Sequence, residues 1–326
     1  MLNKKTFWLP MVAAVALVAG APASAQPAAD YPTKPIKMVL PFGAGGGGDV
    51  LGRLLADQMS RRLKQPIVVE NRVGAAGTIG TQHVAVSAPD GYTIMIGGMT
   101  THLLAPVTYS KLAYDPVKDF SVIGRIGTSA IVMLATPDFP ANNLKELVAL
   151  AKSKPNPTQY GSWGMGSTGH FCGEVLAQKA GLQLQHVPFN GTNKLVTDMM
   201  GGHIQLGLVD MATGTPFVKE GKLKALGVCT QRSPSLPEVA SYKEQGIDFD
   251  QLLSWVMYAP AGVPKPILAK VTDALQASLK EKEVVDKMLA LGITADFLPG
   301  EQQAAINARD IQIWKKVAAD ANIKTD

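Results

Sequence analysis

The sequence predicts an α/β protein of two domains, each a doubly wound sheet flanked by helices. Three observations carry this. Short apolar runs of strand length alternate with amphipathic stretches of helical period from residue 36 onward, the alternation restarts near residue 131, and each half holds a Gly-rich loop between a strand and a helix. A chain of 326 residues has room for two separate cores, since domains usually run to about 100–200 residues.

Taken in order, residues 36–41 form the first apolar β-run, followed by a Gly-rich turn and a helical face of Leu51, Leu54, Leu55, Met59 and Leu63. Residues 67–69 and 93–96 are the next strands, the second of them after the turn signal Pro89-Asp90-Gly91, and residues 75–87 are helical between them. Strands alternating with helices imply a largely parallel sheet. The second half repeats the pattern, with strands at 131–134, 159–162, 185–187, 204–209 and 225–228 and helices at 144–152 and 171–180. Beyond Pro264 the chain turns mainly helical, with amphipathic segments at 267–280, 284–291 and 302–319. These are expected to pack on the first domain, whose sheet is otherwise only partly covered. The organisation is therefore a leader at 1–25, domain one at 26–128, domain two at 129–252 and a return to domain one at 253–326.

The leader reads as an export signal: Lys4 and Lys5 form a positive start, residues 7–21 an apolar stretch, and Ala23-Ser24-Ala25 a cleavage site, with the cut after Ala25. The stretch is too short and too rich in Ala for the roughly 20 residues that cross a bilayer, and no later segment is apolar enough. The mature chain is expected to be soluble and periplasmic. No Cys follows as a lipid-attachment site and no Arg pair marks export in the folded state, so a cofactor loaded in the cytoplasm is not expected. The formal net charge of +5 loses two positive charges with Lys4 and Lys5, and the remaining Lys and Arg form no basic stripe. That balance argues against a nucleic-acid partner and suits an anionic ligand. Cys172 and Cys229 would meet an oxidising compartment, where they either pair or sit as two small buried hydrophobes; no Cys or His spacing points to a metal.

The run Gly43-Ala44-Gly45-Gly46-Gly47-Gly48 contains G-x-G-x-x-G between a strand and a helix, with Glu70 at the end of the next strand, the pattern of a dinucleotide fingerprint. Asp49 counts against that reading, because it brings a carboxylate to the helix start where a pyrophosphate would sit. The same glycines let backbone N–H groups turn inward at a helix N-terminus, which suits a small carboxylate, with Asp49 as the helix N-cap. A merely tight strand-to-helix turn is the plain alternative. In the second half, Gly161-Ser162-Trp163-Gly164-Met165-Gly166-Ser167-Thr168-Gly169-His170 again joins a strand to a helix and offers hydroxyls and amides. Two anion-friendly loops, one in each half, point to a ligand clamped in a cleft.

A set of short motifs runs through the whole mature chain. These are Tyr31-Pro32-Thr33-Lys34-Pro35-Ile36, Pro41-Phe42 with the Gly run and Asp49, Val69-Glu70-Asn71-Arg72, Ala88-Pro89-Asp90-Gly91-Tyr92-Thr93, and Tyr114-Asp115-Pro116-Val117-Lys118-Asp119-Phe120. They continue with the loop 160–170, His186-Val187-Pro188-Phe189, Gly221-Lys222-Leu223-Lys224-Ala225-Leu226 and Ala259-Pro260-Ala261-Gly262-Val263-Pro264. In order and spacing the chain closely resembles the Bug (TctC-like) receptors, the periplasmic binding components of tripartite tricarboxylate transporters. The resemblance implies a Venus-flytrap fold with crossovers near 123–134 and 252–258, C-terminal helices returned to domain one, a small carboxylate ligand, and the permease subunits of such a transporter as partners; a monomer is expected, and no cofactor or metal. It assigns the ligand contacts to Phe42, Ala44, Gly45 and Gly46 in the first loop and to Ser162, Trp163, Gly164, Met165, Gly166, Ser167, Thr168 and His170 in the second. Thr100, Thr101, His102, Phe189, Asn190 and Asp210 are further candidates.

Several of these residues have plain alternatives: His170 as a helix cap, His102 as a solvated loop residue, Phe189 and Trp163 as core. His83, His186 and His203 read as structural or exposed. An acidic Asp210 would repel an anion and is expected to reach it through water, or to meet a ligand hydroxyl or amine. The family usually carries prolines at the positions of Ala44 and Gly45, Tyr with Lys or another polar residue at 189–190, so that Asn190 removes a possible charge contact, and small or polar residues at Trp163 and Met165. These departures all fall at the cleft and point to an aromatic or otherwise apolar-bodied mono- or dicarboxylate in preference to citrate. Other functions compatible with parts of the pattern are an exported sensor that reports to a signalling partner, a dinucleotide-dependent enzyme, and a hydrolase with a Ser162, His170, Asp210 triad, although G-x-S-x-G is absent.

Overall fold

The computed structural model describes residues 30–229, 231–249, 253–320 and 323. The expected leader and its cleavage site lie outside them. Strand β1 (Ile36–Leu40) pairs in parallel with β2 (Ile67–Asn71) and β3 (Thr93–Gly98). Its residues are nearly all buried, as befits a strand covered on both faces. Helix α1 (Gly47–Leu63) lays Leu51, Leu55 and Met59 on that sheet. Gly52 permits the close approach, because a Cβ there would stand 2.5 Å from the Leu40 side chain. Helix α2 (Thr78–Ala85) follows β2, and β3 runs into a π-helical turn at Met99–Leu104 and the short α3 (Ala105–Thr108).

The chain then crosses to the second half. Strand β4 (Phe120–Ser129) belongs to the first sheet, and β5 (Ile131–Ala135), one residue further on, belongs to the second. The second sheet adds β6 (Thr158–Ser162), β7 (Leu184–Pro188), β8 (Leu206–Asp210) and β9 (Lys224–Val228). Its order is β7-β6-β8-β5-β9. Helices α4 (Leu144–Ser153), α5 (Thr168–Ala180), α6 (Thr192–Met200) and α7 (Met211–Lys219) alternate with these strands. Strand β10 (Leu253–Pro260) returns the chain to the first sheet, followed by α8 (Lys265–Ser278), α9 (Lys282–Ala290), β11 (Ile293–Pro299) and α10 (Gly300–Asp320).

The first sheet has the order β11-β4-β10-β3-β1-β2. Both sheets are mixed where the sequence implied largely parallel ones. Strands β4, β10 and β11 pair antiparallel, as β5 does with β8 and β9, because the strands that carry the chain between the halves enter each sheet against its parallel part. The C-terminal helices pack where the sequence placed them: α8 on α1 and β4, α10 on β4. Strand β11 interrupts what was expected to be a mainly helical tail. Helix α10 also reaches the second half, where the buried Trp314 ring meets Phe171 and Phe249 edge-on at 5.6 and 5.7 Å. The two cysteines are paired: Cys172 in α5 and Cys229 after β9 form a disulfide with a Cα–Cα distance of 5.9 Å. Among the described residues, no helix is long and apolar enough to cross a membrane.

Candidate functional site

A cavity of about 590 Å³ opens between the two sheets, at the strand ends where loops from both halves meet. Five helix starts face it: Gly46 before α1, Gly77 before α2, Thr168 opening α5, Gly191 before α6 and Asp210 capping α7. The first N–H groups of a helix have no partner within it, and each helix end carries roughly half a positive charge. Among the described residues lining the cavity there is no Lys, Arg or His, and Asp210 is the one acidic side chain. Positive potential here therefore comes from backbone dipoles.

The walls are apolar and aromatic. Phe42 packs edge-on against Trp255 at 5.4 Å, and both line the cavity. Gly48 makes room for the pair, since a Cβ there would come 2.6 Å from the Phe42 ring. Opposite, Trp163 lies on Gly169 of α5, where a Cβ would meet its ring at 2.6 Å. Met165 and Phe189 extend this wall, Phe189 backed by Gly161. Trp163 thus serves both readings of the sequence: half-buried against the core, it also presents a face to the cleft.

The halves touch within the cavity lining. The Thr100 and Thr168 hydroxyls are 2.9 Å apart, and Asn193 Nδ2 donates to the Ala44 carbonyl at 3.2 Å. A Cβ on Gly47 would stand 2.4 Å from Asp210 Oδ1, so only glycine lets that carboxylate approach the start of α1.

Of the residues expected at the ligand, Phe42, Ala44, Gly46, Thr100, Thr101, Trp163, Gly164, Met165, Thr168, Phe189, Asn190 and Asp210 line the cavity. Six stand outside its lining, each for a visible reason. Gly45 faces Asn193 at the rim. His102 is buried, stacked on Tyr258 with centroids 3.7 Å apart, and burial lowers its pKa to about 3. Ser162 is buried and bonds His186 Nε2 at 2.7 Å and Ser167 Oγ at 3.0 Å. Ser167 caps α5 by accepting the His170 N–H. His170 Nδ1 in turn accepts the Gly166 N–H at 3.1 Å, and its ring stacks on His186 at 4.1 Å. Burial lowers the pKa values of His170 and His186 to about 4 and about 3, and the neighbouring His170 ring further disfavours a proton on His186. These residues therefore form the scaffold that shapes the second loop. The triad is not assembled, because Ser162 bonds His186 and Asp210 caps α7 through Thr213.

Asp49 also departs from its expected place. The N-cap of α1 is Gly46, and the buried Asp49 turns away from the cavity to accept from the Gly45 N–H at 2.9 Å, Arg53 at 3.0 Å and Asn71 at 2.9 Å. Burial opposes its ionisation, but Arg53, Gly45 and Asn71 outweigh it and hold the carboxyl below its usual range. Glu70, the acid of the dinucleotide pattern, pairs with Lys37 and Arg72 outside the cavity lining.

Sequence reasoning missed Trp255, Tyr109, Asn193 and the stretch 73–77, all of which line the cavity. The run Gly74-Ala75-Ala76-Gly77 between a strand and a helix was a readable signal of a third loop. Ala75 and Ala76 adopt positive φ of 44° and 51°, uncommon for residues with a Cβ.

Two α/β domains with a ligand-sized cavity between them, faced by helix N-termini from both, define a solute-binding protein of the periplasmic-binding-protein fold. The chain belongs to the TctC family, the tripartite tricarboxylate transporter family receptors, whose family model matches residues 51–322. It is similar to the periplasmic binding protein BugD, at 33% identity and a TM-score of 0.85 over 90% of this chain and 100% of that one. It is also similar to a Rhodopseudomonas palustris protein solved with adipate, at 27% identity and a TM-score of 0.87 over 91% and 100% of the two chains. MatC from the same organism, solved with bound malate, is 30% identical with a TM-score of 0.82 over 88% and 99%.

Proposed function

We propose that this chain is a periplasmic receptor that captures a small carboxylate between its two domains and delivers it to the membrane subunits of a tripartite tricarboxylate transporter, without itself catalysing a reaction. The observation that carries this reading is the convergence of five helix N-termini on one cavity whose lining has no cationic side chain. Such a site holds an anion by pre-oriented N–H groups and hydroxyls, which release it more readily than a buried ion pair would. The adipate and malate of the two similar proteins support the same ligand class. Within it, the lining of Trp163, Met165, Phe189, Phe42 and Trp255 favours an acid with an apolar or aromatic body. Domain one then comprises 26–128 and 253–326 and domain two 129–252, with the leader 1–25 removed on export. Native mass spectrometry of the protein as purified, followed by calorimetric titration of the acid it retains, tests the reading. Saturable binding with the acid recovered unchanged is expected. Failure to bind any carboxylate, or its conversion to product, would overturn it.

A further inference from the structure

The cavity contains one electrostatic conflict, because a bound carboxylate would share its mainly apolar lining with Asp210. That side chain ends β8 and caps α7, accepting from the Thr213 N–H at 2.9 Å on Oδ1 and from the Thr213 hydroxyl at 3.0 Å on Oδ2. The groups that face it from the elements packed around it are Thr192 of α6, Thr213 of α7, Gly47 of α1 and its strand partner Ile131 of β5. None of them ionises, so no cation compensates the carboxylate. Burial pushes its carboxyl above the usual range, ahead of the hydrogen bonds from Thr213 and Thr192 that pull it down.

We propose that Asp210 takes up a proton when a carboxylate enters the cleft, so that this receptor binds its anion together with a proton. The inference rests on the carboxylate-receptor reading. Two carboxylates brought close together without a cation each raise the other's affinity for a proton, and Asp210 is the one whose surroundings already raise it. Protonated, it keeps one oxygen as the acceptor that caps α7 and turns the other into a donor towards the ligand. Repulsion becomes a hydrogen bond. The linkage has a definite sign: a group protonated more fully in the bound state makes binding tighter as pH falls and weaker as pH rises through the interval between its free and bound pKa values.

The test is calorimetric titration of adipate and, in parallel, terephthalate between pH about 6.5 and 8, where both acids are ionised, in buffers of different ionisation enthalpy. The unsubstituted protein should take up a fraction of a proton per acid bound, and its affinity should fall with rising pH by up to about tenfold per unit. Asp210→Asn, which keeps a capping side chain, should bind with no uptake, with affinity independent of pH, and more tightly than the unsubstituted protein at pH 8. Asp210→Ser is a second capping variant in case the Asn form is unstable. Zero uptake with a constant affinity in the unsubstituted protein would overturn the proposal, as would equal uptake in the variants, which would place the proton elsewhere. If neither acid, nor any other carboxylate, binds the unsubstituted protein, the receptor reading itself falls, and this inference with it.

Discussion

The hydroxyl oxygens of Thr100 and Thr168 stand 2.9 Å apart, joining the π-helical turn of one domain to the first residue of α5 in the other. Both are buried, and both line the cavity. The bond joins the two domains, so if ligand closes the cleft the bond should favour that closed form and add to affinity without touching the ligand's charge.

Thr100→Val removes this bond at nearly constant shape. A net hydrogen bond of about 1 kcal/mol corresponds to roughly a fivefold loss of affinity, read by calorimetry. Small-angle scattering should show a smaller radius of gyration with ligand than without it. An unchanged radius at saturation would show that the clamp does not operate.

Ligand binding should survive chelation. Among the described residues no group of three His, Cys, Asp or Glu is placed to hold a metal ion. Affinity lost in chelator and restored by a divalent cation would contradict this.

The strands that were legible in the sequence were the apolar runs buried on both faces, such as β1 and β5, where burial and the apolar pattern coincide. Strand β11, Ile-Thr-Ala-Asp-Phe-Leu-Pro, is mostly half-buried, carries no continuous apolar run, and takes its place from the neighbouring β4. Strand direction was not legible either, because it depends on where the chain crosses between sheets. At the site, the Gly-rich loops were visible because glycines between a strand and a helix are a local signal. Trp255 and Asn193 were not, since each reaches the cavity only through the way the halves meet. His170 and Ser162 lie outside the cavity lining for a related reason: a polar residue beside a loop reads as a ligand contact until its partner, here His186 from another strand, is known.

The disulfide should matter for folding stability. Cys172 and Cys229 are 57 residues apart in sequence and both buried, and they tie α5 to the end of β9. Closing a loop of that size contributes about 2–4 kcal/mol. Urea denaturation with and without a reductant present through unfolding should show a loss of that order. Equal midpoints would refute it.

Stability should also fall on mild acidification. His102, His170 and His186 are held neutral, with pKa values of about 3, about 4 and about 3, set chiefly by burial. An unfolded His titrates near 6.5, so below that pH the unfolded chain binds more protons and stability is lost as pH falls from about 6.5 towards 4. The expected decrease between pH 7.5 and 5 is on the order of a few kcal/mol for the three together. Identical urea midpoints at the two pH values would mean that these rings are not buried and neutral as described.

The ligand's body should be read by Trp163. Its ring rests on Gly169 and faces the cleft, with Met165 and Phe189 beside it and Phe42 and Trp255 across the cavity. Stacking on such a wall is worth about 0.5–1.5 kcal/mol beyond the burial of area, enough to separate acids that share the same carboxylate contacts. Asn190 in the cavity lining adds no cation, so a ligand of low charge needs the least compensation. Benzoate, terephthalate, adipate, malate and citrate should therefore be compared by calorimetry on the unsubstituted protein and on Trp163→Ala. The aromatic acids should bind best and lose about tenfold or more in the variant, while the aliphatic acids lose less. Because the ring also packs on α5, the thermal midpoint of Trp163→Ala serves as a control: a general loss of stability would weaken all the acids alike. Tight citrate or adipate binding that the substitution leaves intact would rule out the aromatic preference and would leave the carboxylate receptor standing.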